Sequence, residues 1–418
     1  MNVPASAMSA VPLRQAAPIS PESAMQRALA LAALGASSTH PNPRVGCVIV
    51  KDGVVIGEGW HHRAGEAHAE VHALAQAGAS ARGADVYVTL EPCAHHGRTP
   101  PCADALVAAG VARVTAAITD PDPRVAGGGL ARLQAAGIAV SSGLCAAEAS
   151  ELNRGFLSRL SRKRPWVTLK LAASLDGRTA LANGDSQWIT GMAARADVHR
   201  LRAAAGAVLV GADTTLADDP SLTVRDWMPP PGTSLRQPDR IVLDAAARVP
   251  PGAKVWTNDG TRRFWLVGAP EGEAPSIPAV DPGVELSSLP PGVDRVVFPL
   301  TAEGHLSLPA VLSALAWREV GEVLVEAGPR LAGALLQAGL VDELLIYLAP
   351  KLLGDTARPL AQLPALKSLA AAPQFQFHEI IPIGDDLRIS LRPQGGQGPL
   401  SAAVPLHSVH QPAVQAGV

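Results

Sequence analysis

The chain has 418 residues, of which 47% are hydrophobic and only 17% charged, with a formal net charge of −2. That length accommodates two or three domains, and the near-neutral balance argues against nucleic-acid and membrane-surface partners, which need a basic footprint. Four cysteines are too few for a disulfide framework and fit a reducing cytoplasm, and no apolar stretch reaches the roughly 20 residues that span a bilayer.

Residues 1–20 are small, polar or proline-bearing and predict a mobile leader without the apolar core of a signal peptide. A first domain is expected over residues 21–145. Pro21-Glu22 opens a helix that ends near Gly35. The loop THPNPRVG follows, held extended by its prolines. Within it, Asn42 is a candidate to hydrogen-bond a substrate ring edge, or equally a turn-forming asparagine. Residues 45–50 form an apolar strand, Lys51-Asp52-Gly53 a tight hairpin turn, and VVIGEGW the returning strand. A helix is predicted over residues 67–77, a strand over 85–90, a helix from Cys102, a strand over 113–118 and a helix over 129–137. This alternation implies an α/β layered structure.

One cluster carries chemistry in this half. His68, Cys93 and Cys102 are one imidazole and two thiols, the ligand set of a catalytic zinc with one position left for water. Glu70 completes an H-x-E pattern, whose glutamate is the general acid/base of zinc deaminases rather than a ligand. Residues i and i+2 diverge along a regular helix, so His68 and Glu70 share a site only at a helix start. Cys102 follows two prolines and also sits at a helix start, which favours its thiolate. The competing reading is a structural zinc, which takes four protein ligands. His95 and His96 could ligate or line the pocket. Cys47 lies in an apolar run and reads as a small core residue, and Cys145 lies well downstream.

Residues 146–165 form a basic connecting segment. A second domain is expected over residues 166–392, with strands at 166–172, 207–210, 240–243, 263–268, 295–298, 322–326 and 344–348. Residues 228–238 and 269–293 are Pro/Gly-rich and read as surface loops, and 393–418 as a disordered tail. A GxGxxG fingerprint is missing, so a dinucleotide site needs other support. The turn Ser174 to Arg178, the polar loop Gly211 to Arg225, and the strand-to-helix turn Glu326-Ala327-Gly328-Pro329 stand out. Gly328 and Pro329 suit a helix start whose free N–H groups accept a phosphate. Arg202 and Arg225 read either as surface charges or as a phosphate clamp.

The motifs THPNPRVGCVIVKDG, GEAHAEVHAL and TLEPCAHHGRTPPC, followed by KLAASLDGRTA, SQWIT, LADDPSLTVR and VEAGPRLAGALLQAGLVDELLIYLAPKLLG, resemble the bifunctional riboflavin-biosynthesis deaminase/reductases over residues 22–392. The resemblance implies an N-terminal cytidine-deaminase-like domain and a C-terminal dihydrofolate-reductase-like domain. It implies hydrolytic removal of the 2-amino group of a diaminopyrimidinone ribosylamino phosphate, then reduction of its ribosyl group to ribityl. The cofactors implied are Zn2+ and NADPH. It places NADPH near Ala172, Trp188, Thr214, Asp218 and the turn Gly328, Pro329, Arg330, Leu331, Ala332, Gly333 and Ala334. It places the phosphorylated substrate near Ser186, Arg202, Leu222, Arg225 and Glu326. The proton donor of the reductase step stays open, with Asp218 and Glu326 as the candidates. A cytoplasmic homo-oligomer is expected. Three rivals are a deaminase of nucleic-acid bases, disfavoured by the neutral charge, a C-terminal half that binds without redox chemistry, and a zinc-stapled structural or interaction protein.

Overall fold

The computed structural model describes residues 18–94, 100–122, 125–269 and 291–395. Most of the leader and tail, the loop 270–290, and His95 and His96 lie outside the described residues. Contacts group the described residues into two units: one within Met1–Ala33, Val45–His61 and Gly65–Ala149, the other within Leu34–Arg44, His62–Ala64 and Ser150–Val418.

The first unit follows the chain through α1 (Pro21–Ala33), β1 (Gly46–Lys51), β2 (Val54–Trp60), α2 (Ala69–Ala77), β3 (Asp85–Val88), α3 (Cys102–Ala109), β4 (Arg113–Ala116), α4 (Gly128–Ala135), β5 (Ala139–Ser142) and α5 (Ala146–Leu152), the last running into the second unit. Its sheet has the order β2-β1-β3-β4-β5. β1 and β2 pair antiparallel through Asp52 and Gly53, both at positive φ, the geometry a two-residue hairpin prefers. β3, β4 and β5 run parallel. β1 is buried on both faces. Val48 and Val50 meet Ala24, Met25 and Ala28 of α1, while Cys47 and Ile49 meet Ala69 and Ala73 of α2 and Leu106 of α3. Its unbroken apolar run is therefore the signature of a strand covered by helices on both sides. α2 packs backbone to backbone on β2. A Cβ at Gly59 would collide with the Ala69 carbonyl, so the start of α2 is fixed to within atomic contact of the sheet.

The second unit runs α6 (Arg154–Arg162), β6 (Trp166–Ser174), β7 (Arg178–Ala180), α7 (Met192–Ala205), β8 (Ala207–Gly211), α8 (Ala212–Asp218), β9 (Asp239–Leu243), β10 (Arg263–Gly268), β11 (Val293–Phe298), α9 (Leu308–Trp317), β12 (Glu322–Glu326), α10 (Pro329–Gln337), β13 (Glu343–Ala349), β14 (Arg358–Pro359), β15 (Phe375–Ile383) and β16 (Asp386–Pro393). Nine strands form one sheet in the order β11-β10-β9-β8-β12-β6-β13-β16-β15. All are parallel except the antiparallel β13–β16 and β16–β15 pairs. The main core lies between one face, including Leu169, Leu209, Ile241, Phe264 and Val325, and helical residues such as Leu312, Leu315 and Leu335. A second core on the other face includes Val210, Val242, Trp256 and Trp265.

Two features of this sheet bear on function. From β8 the chain moves outward to β9, β10 and β11, whereas β12 leads in the other direction to β13. The strand order thus reverses between β8 and β12, and a ligand crevice is expected beyond the carboxyl ends of strands at such a switch point. The second feature is the β15–β16 hairpin, which the expected strands did not include. Phe377, Ile380 and Pro382 of β15 face Leu391, Ile389 and Leu387 of β16 in register, and the latter face Leu344, Ile346 and Leu348 of β13. One side of the hairpin is thus wholly apolar, yet Phe377 is 69% and Ile380 51% exposed. Pro382 counts against a strand in sequence reasoning, but β15 is the sheet's edge strand, where a proline costs no ladder hydrogen bond.

Candidate active sites

The first site is assembled by two helix starts and one strand end. His68 is the N-cap of α2, with extended backbone (φ −80°, ψ 167°), and Glu70 follows inside the first turn. Cys102 is the first residue of α3, and Cys93 lies in the loop after β3. His68 Nδ1 is 3.3 Å from Cys102 Sγ and 3.7 Å from Cys93 Sγ, and all three ligand atoms lie within 4.8 Å of one another. Bonds of about 2.1 Å to nitrogen and about 2.3 Å to sulfur at a tetrahedral angle separate such donors by about 3.6 Å, so the donor set and spacing fit zinc. Three protein donors leave one position for water. Cys47 is fully buried in the core.

Electrostatics sharpen the picture. Glu70 is only 3% exposed, and its Oε2 has no hydrogen-bond partner. Burial raises its pKa, against the opposing pull of His68. A hydrogen bond from Cys102 holds the Cys93 thiol down, with His68 assisting; the same bond, together with burial, pushes Cys102 up. The two thiols are thus shifted in opposite directions, Cys93 toward the thiolate and Cys102 away from it. The hydrogen bond to Cys93 raises His68, and Glu70 adds to it against burial.

Two supporting residues escaped the sequence reading. Glu91, two residues before Cys93, is 4% exposed. One of its carboxylate oxygens accepts from Asp120 N (3.2 Å) and Gly127 N (3.0 Å), the other from Gly129 N (2.9 Å) and Leu130 N (3.2 Å). It thereby ties the metal loop to the start of α4. A Cβ at Gly129 would collide with the Pro92 carbonyl oxygen. The triplet Gly127-Gly128-Gly129 was the available signal, since successive glycine amides make a cradle for an anion. His61 stands edge-on to His68, with ring centroids 5.3 Å apart, and its Nδ1 lies 3.1 Å from Ala67 O. Asn42 donates its backbone N–H to Thr39 O at 2.8 Å and groups with the second unit.

The second site lies in the second unit, around the switch point. Gly328 caps α10, and Pro329 opens it. Thr214, in the first turn of α8, packs beside Gly328, its Oγ1 3.6 Å from where a Cβ there would stand. The free N–H groups of that helix start suit a cofactor phosphate. Ala332 and Gly333 are buried, and Gly333 packs directly on the Gln362 backbone, which seats the first turns of α10. Arg330 and Ala334 are exposed, and Leu331 packs against the main core. Asp218 ends α8, where partial burial raises its carboxyl and Arg358 opposes. Ala172 lies on β6. Trp188 is exposed, with the Arg195 guanidinium 4.4 Å from its ring centroid and Lys351 Nζ donating to its carbonyl at 2.8 Å. Ser186 sits just before it, its carbonyl accepting from Ile189 N at 3.2 Å.

Glu326, at the end of β12, accepts a two-pronged hydrogen bond from Arg202 at 2.6 and 2.9 Å, and Arg202 also donates to Thr223 O. Burial would raise Glu326, but Arg202 and Lys170 outweigh it and hold it at about 2. Lys170, paired with Glu326 in register, is a third charged group that the sequence reading passed over. Burial lowers its pKa, and Glu326 opposes. Its charge falls inside the apolar strand WVTLKLA, and that misfit was the signal. Leu222 is buried at φ 55°, so its side chain is spent on packing. Its neighbours Ser221 and Thr223 face each other at 3.0 Å, and Arg225 donates to Ser221 Oγ at 2.7 Å. The turn from Ser174 to Arg178 is structural. Asp176 takes hydrogen bonds from Ser174 Oγ, Leu353 N and Gly354 N.

Comparison with known proteins gives a family for each half of the chain. Residues 19–118 match the cytidine and deoxycytidylate deaminase zinc-binding region, and residues 165–389 match the RibD C-terminal domain. A zinc-binding deaminase domain followed by a reductase domain defines a bifunctional enzyme. The chain is 53% identical over 375 residues to the riboflavin biosynthesis protein RibD of Escherichia coli, covering 88% of this chain and 98% of that protein. It is 43% identical over 374 residues to its Bacillus amyloliquefaciens counterpart, covering 89% and 96%. Among solved structures, RibD from Acinetobacter baumannii superposes with a TM-score of 0.79 at 44% identity, over 90% of this chain and 99% of that one. A diaminohydroxyphosphoribosylaminopyrimidine deaminase/5-amino-6-(5-phosphoribosylamino)uracil reductase from Thermotoga maritima gives 0.75 at 32% identity, over the same shares. The chain belongs to the RibD family, the deaminase/reductases of riboflavin biosynthesis, with Zn2+ and NADPH as cofactors. The two expected fold classes are borne out. No helix among the described residues is long and apolar enough to cross a membrane.

Proposed function

We propose that the chain carries out both reactions named for its Thermotoga relative, on one phosphorylated small molecule. The 2-amino group of the diaminopyrimidinone ribosylamino phosphate is first replaced by oxygen, releasing ammonia. The ribosyl group is then reduced to ribityl by NADPH. His68, Cys93 and Cys102 hold zinc, which when bound supplies the Lewis acid that makes water a nucleophile near neutral pH. Glu70 takes the proton of the attacking water and returns protons to the ring nitrogen and to the departing amine.

The observation that carries this reading is Glu70: a buried carboxylate with an unpartnered oxygen and a raised pKa, two residues from a three-donor metal cluster. Such a group is suited to general acid/base work beside the metal. In the reductase half, hydride passes to C1 of the open-chain imine. The nitrogen's proton comes from Asp218, whose pKa is raised, rather than from Glu326, which Arg202 keeps ionised. Arg225 and Ser221 receive the substrate phosphate, while Arg202 orients Glu326. The dinucleotide lies along Ala172, Trp188, Thr214 and Gly328 to Ala334, with Ser186 at the substrate.

The test supplies purified protein with substrate and NADPH and follows ammonia and NADPH together. Ammonia release followed by NADPH loss is expected. Absence of both, with zinc bound, would overturn the substrate assignment. We also propose a homo-oligomer that works in the cytoplasm. Supporting it is the apolar side of β15–β16, an edge that a second copy covers through a self-complementary two-fold contact. Phe377→Glu should convert the oligomer to monomer in sedimentation velocity; an unchanged mass would remove this face from the contact.

A further inference from the structure

Three neighbouring strands end in one polar cluster beside the α10 helix start. Arg248 lies in the turn after β9, Asp213 in the first turn of α8 after β8, and Arg330 in the first turn of α10 after β12. Asp213 Oδ1 takes a hydrogen bond from Arg248 at 2.7 Å, and Asp213 Oδ2 pairs with Arg330 at 2.9 Å. All three side chains are substantially exposed. Exposed pairs contribute little to stability, so folding alone does not account for the cluster. Its net charge is positive: two guanidiniums against one carboxylate.

The turn that presents Arg248 is firmly built. Asp244, fully buried at the end of β9, accepts Val249 N at 2.8 Å and Trp265 Nε1 at 3.1 Å, and Ala247 N donates back to Asp244 O. The guanidinium therefore projects from a fixed backbone toward the switch point. The order of groups along the sheet is also directional. Lys170 on β6 and Glu326 on β12 stand on one side of the α10 start, and Arg248 stands on the other, beyond β8, with β9 two strand spacings or about 10 Å from β12.

We propose that Arg248 and Arg330, aligned by Asp213, bind the 2′-phosphate that distinguishes NADPH from NADH. The inference rests on the proposed placement of the dinucleotide along the α10 start. A guanidinium accommodates that phosphate in dinucleotide sites of other folds, and the planar fork suits two phosphate oxygens at once. With the pyrophosphate on the α10 amides, the adenosine end reaches toward β9, and the second phosphate arrives between the two arginines.

The test is equilibrium binding of NADPH, NADH and 2′,5′-ADP to the full chain by titration calorimetry, without substrate and hence without turnover. Arg248→Ala should weaken NADPH and 2′,5′-ADP by at least about tenfold and leave NADH within about twofold. Arg248→Lys should recover only part of the loss, because the charge remains but the fork does not. Arg330→Ala should act in the same direction. An equal loss for NADPH and NADH, or an unchanged ratio, would overturn the assignment while leaving the cofactor site standing. If the wild-type chain binds neither dinucleotide, the cofactor reading falls and this inference with it.

Discussion

The two sites are built on opposite plans. The deaminase cluster draws its ligands from two helix starts and one strand end, all inside a 35-residue stretch from His68 to Cys102. The reductase crevice draws from the ends of β6, β8, β9 and β12, with side chains as far apart in sequence as Lys170 and Arg330. The first is a point centre whose chemistry depends on a few atoms. The second is a surface whose affinity is shared among many contacts. Single substitutions should therefore act nearly all-or-none in one and by degrees in the other.

The sharpest break in that comparison is Glu70→Gln. It should retain zinc and lower deamination by about 10²–10⁴-fold, while NADPH binding stays unchanged; normal ammonia release from the zinc-loaded variant would end the assignment. Next comes a stability effect inside the reductase crevice. Glu326 sits at about 2 in the folded chain against an ordinary 4.5. Its pKa is depressed, so its contribution is complete above about 4.5 and disappears as pH falls toward 2. That contribution is about 3 kcal/mol as an upper bound. The urea midpoints of wild type and Glu326→Gln should differ at pH 7, and the gap should shrink steadily as pH falls from about 4.5 toward 2. A constant gap would assign the effect to packing instead.

Glu91→Gln tests whether the point centre depends on its support. Zinc affinity should fall by about 10–100-fold, read by competition with a chromophoric chelator, with NADPH affinity untouched. Unaltered zinc affinity would reduce Glu91 to a loop staple. The smallest effect belongs to Arg225→Ala. It should raise the Michaelis constant for the phosphorylated substrate about tenfold with little change in kcat. Equal loss in kcat would move Arg225 from phosphate binding to the reacting end.

Legibility from sequence follows the same division. The cluster of His68, Cys93 and Cys102 could be read because coordination demands those residue types. Strands such as Arg263–Gly268 and Glu322–Glu326 could be read because burial on both faces leaves unbroken apolar runs. Glu91 was hidden because its four partners are backbone amides, which carry no side-chain label. The β15–β16 hairpin was hidden because its apolar residues remain exposed and Pro382 mimics a strand breaker. That Arg202 would be taken up by Glu326 rather than stand open to a phosphate depended on β12 and α7 meeting in space, 124 residues apart.

The contact of Gly129 with the Pro92 carbonyl has a thermodynamic corollary. The start of α4 rests on the backbone of the metal loop with no side chain between them, and the same turn supplies the amides that Glu91 gathers. Neither part can shift alone. Metal occupancy and the closing of α4 are then two faces of one equilibrium. Whatever factor zinc contributes to slowing amide exchange in α4, stiffening α4 must return to zinc affinity.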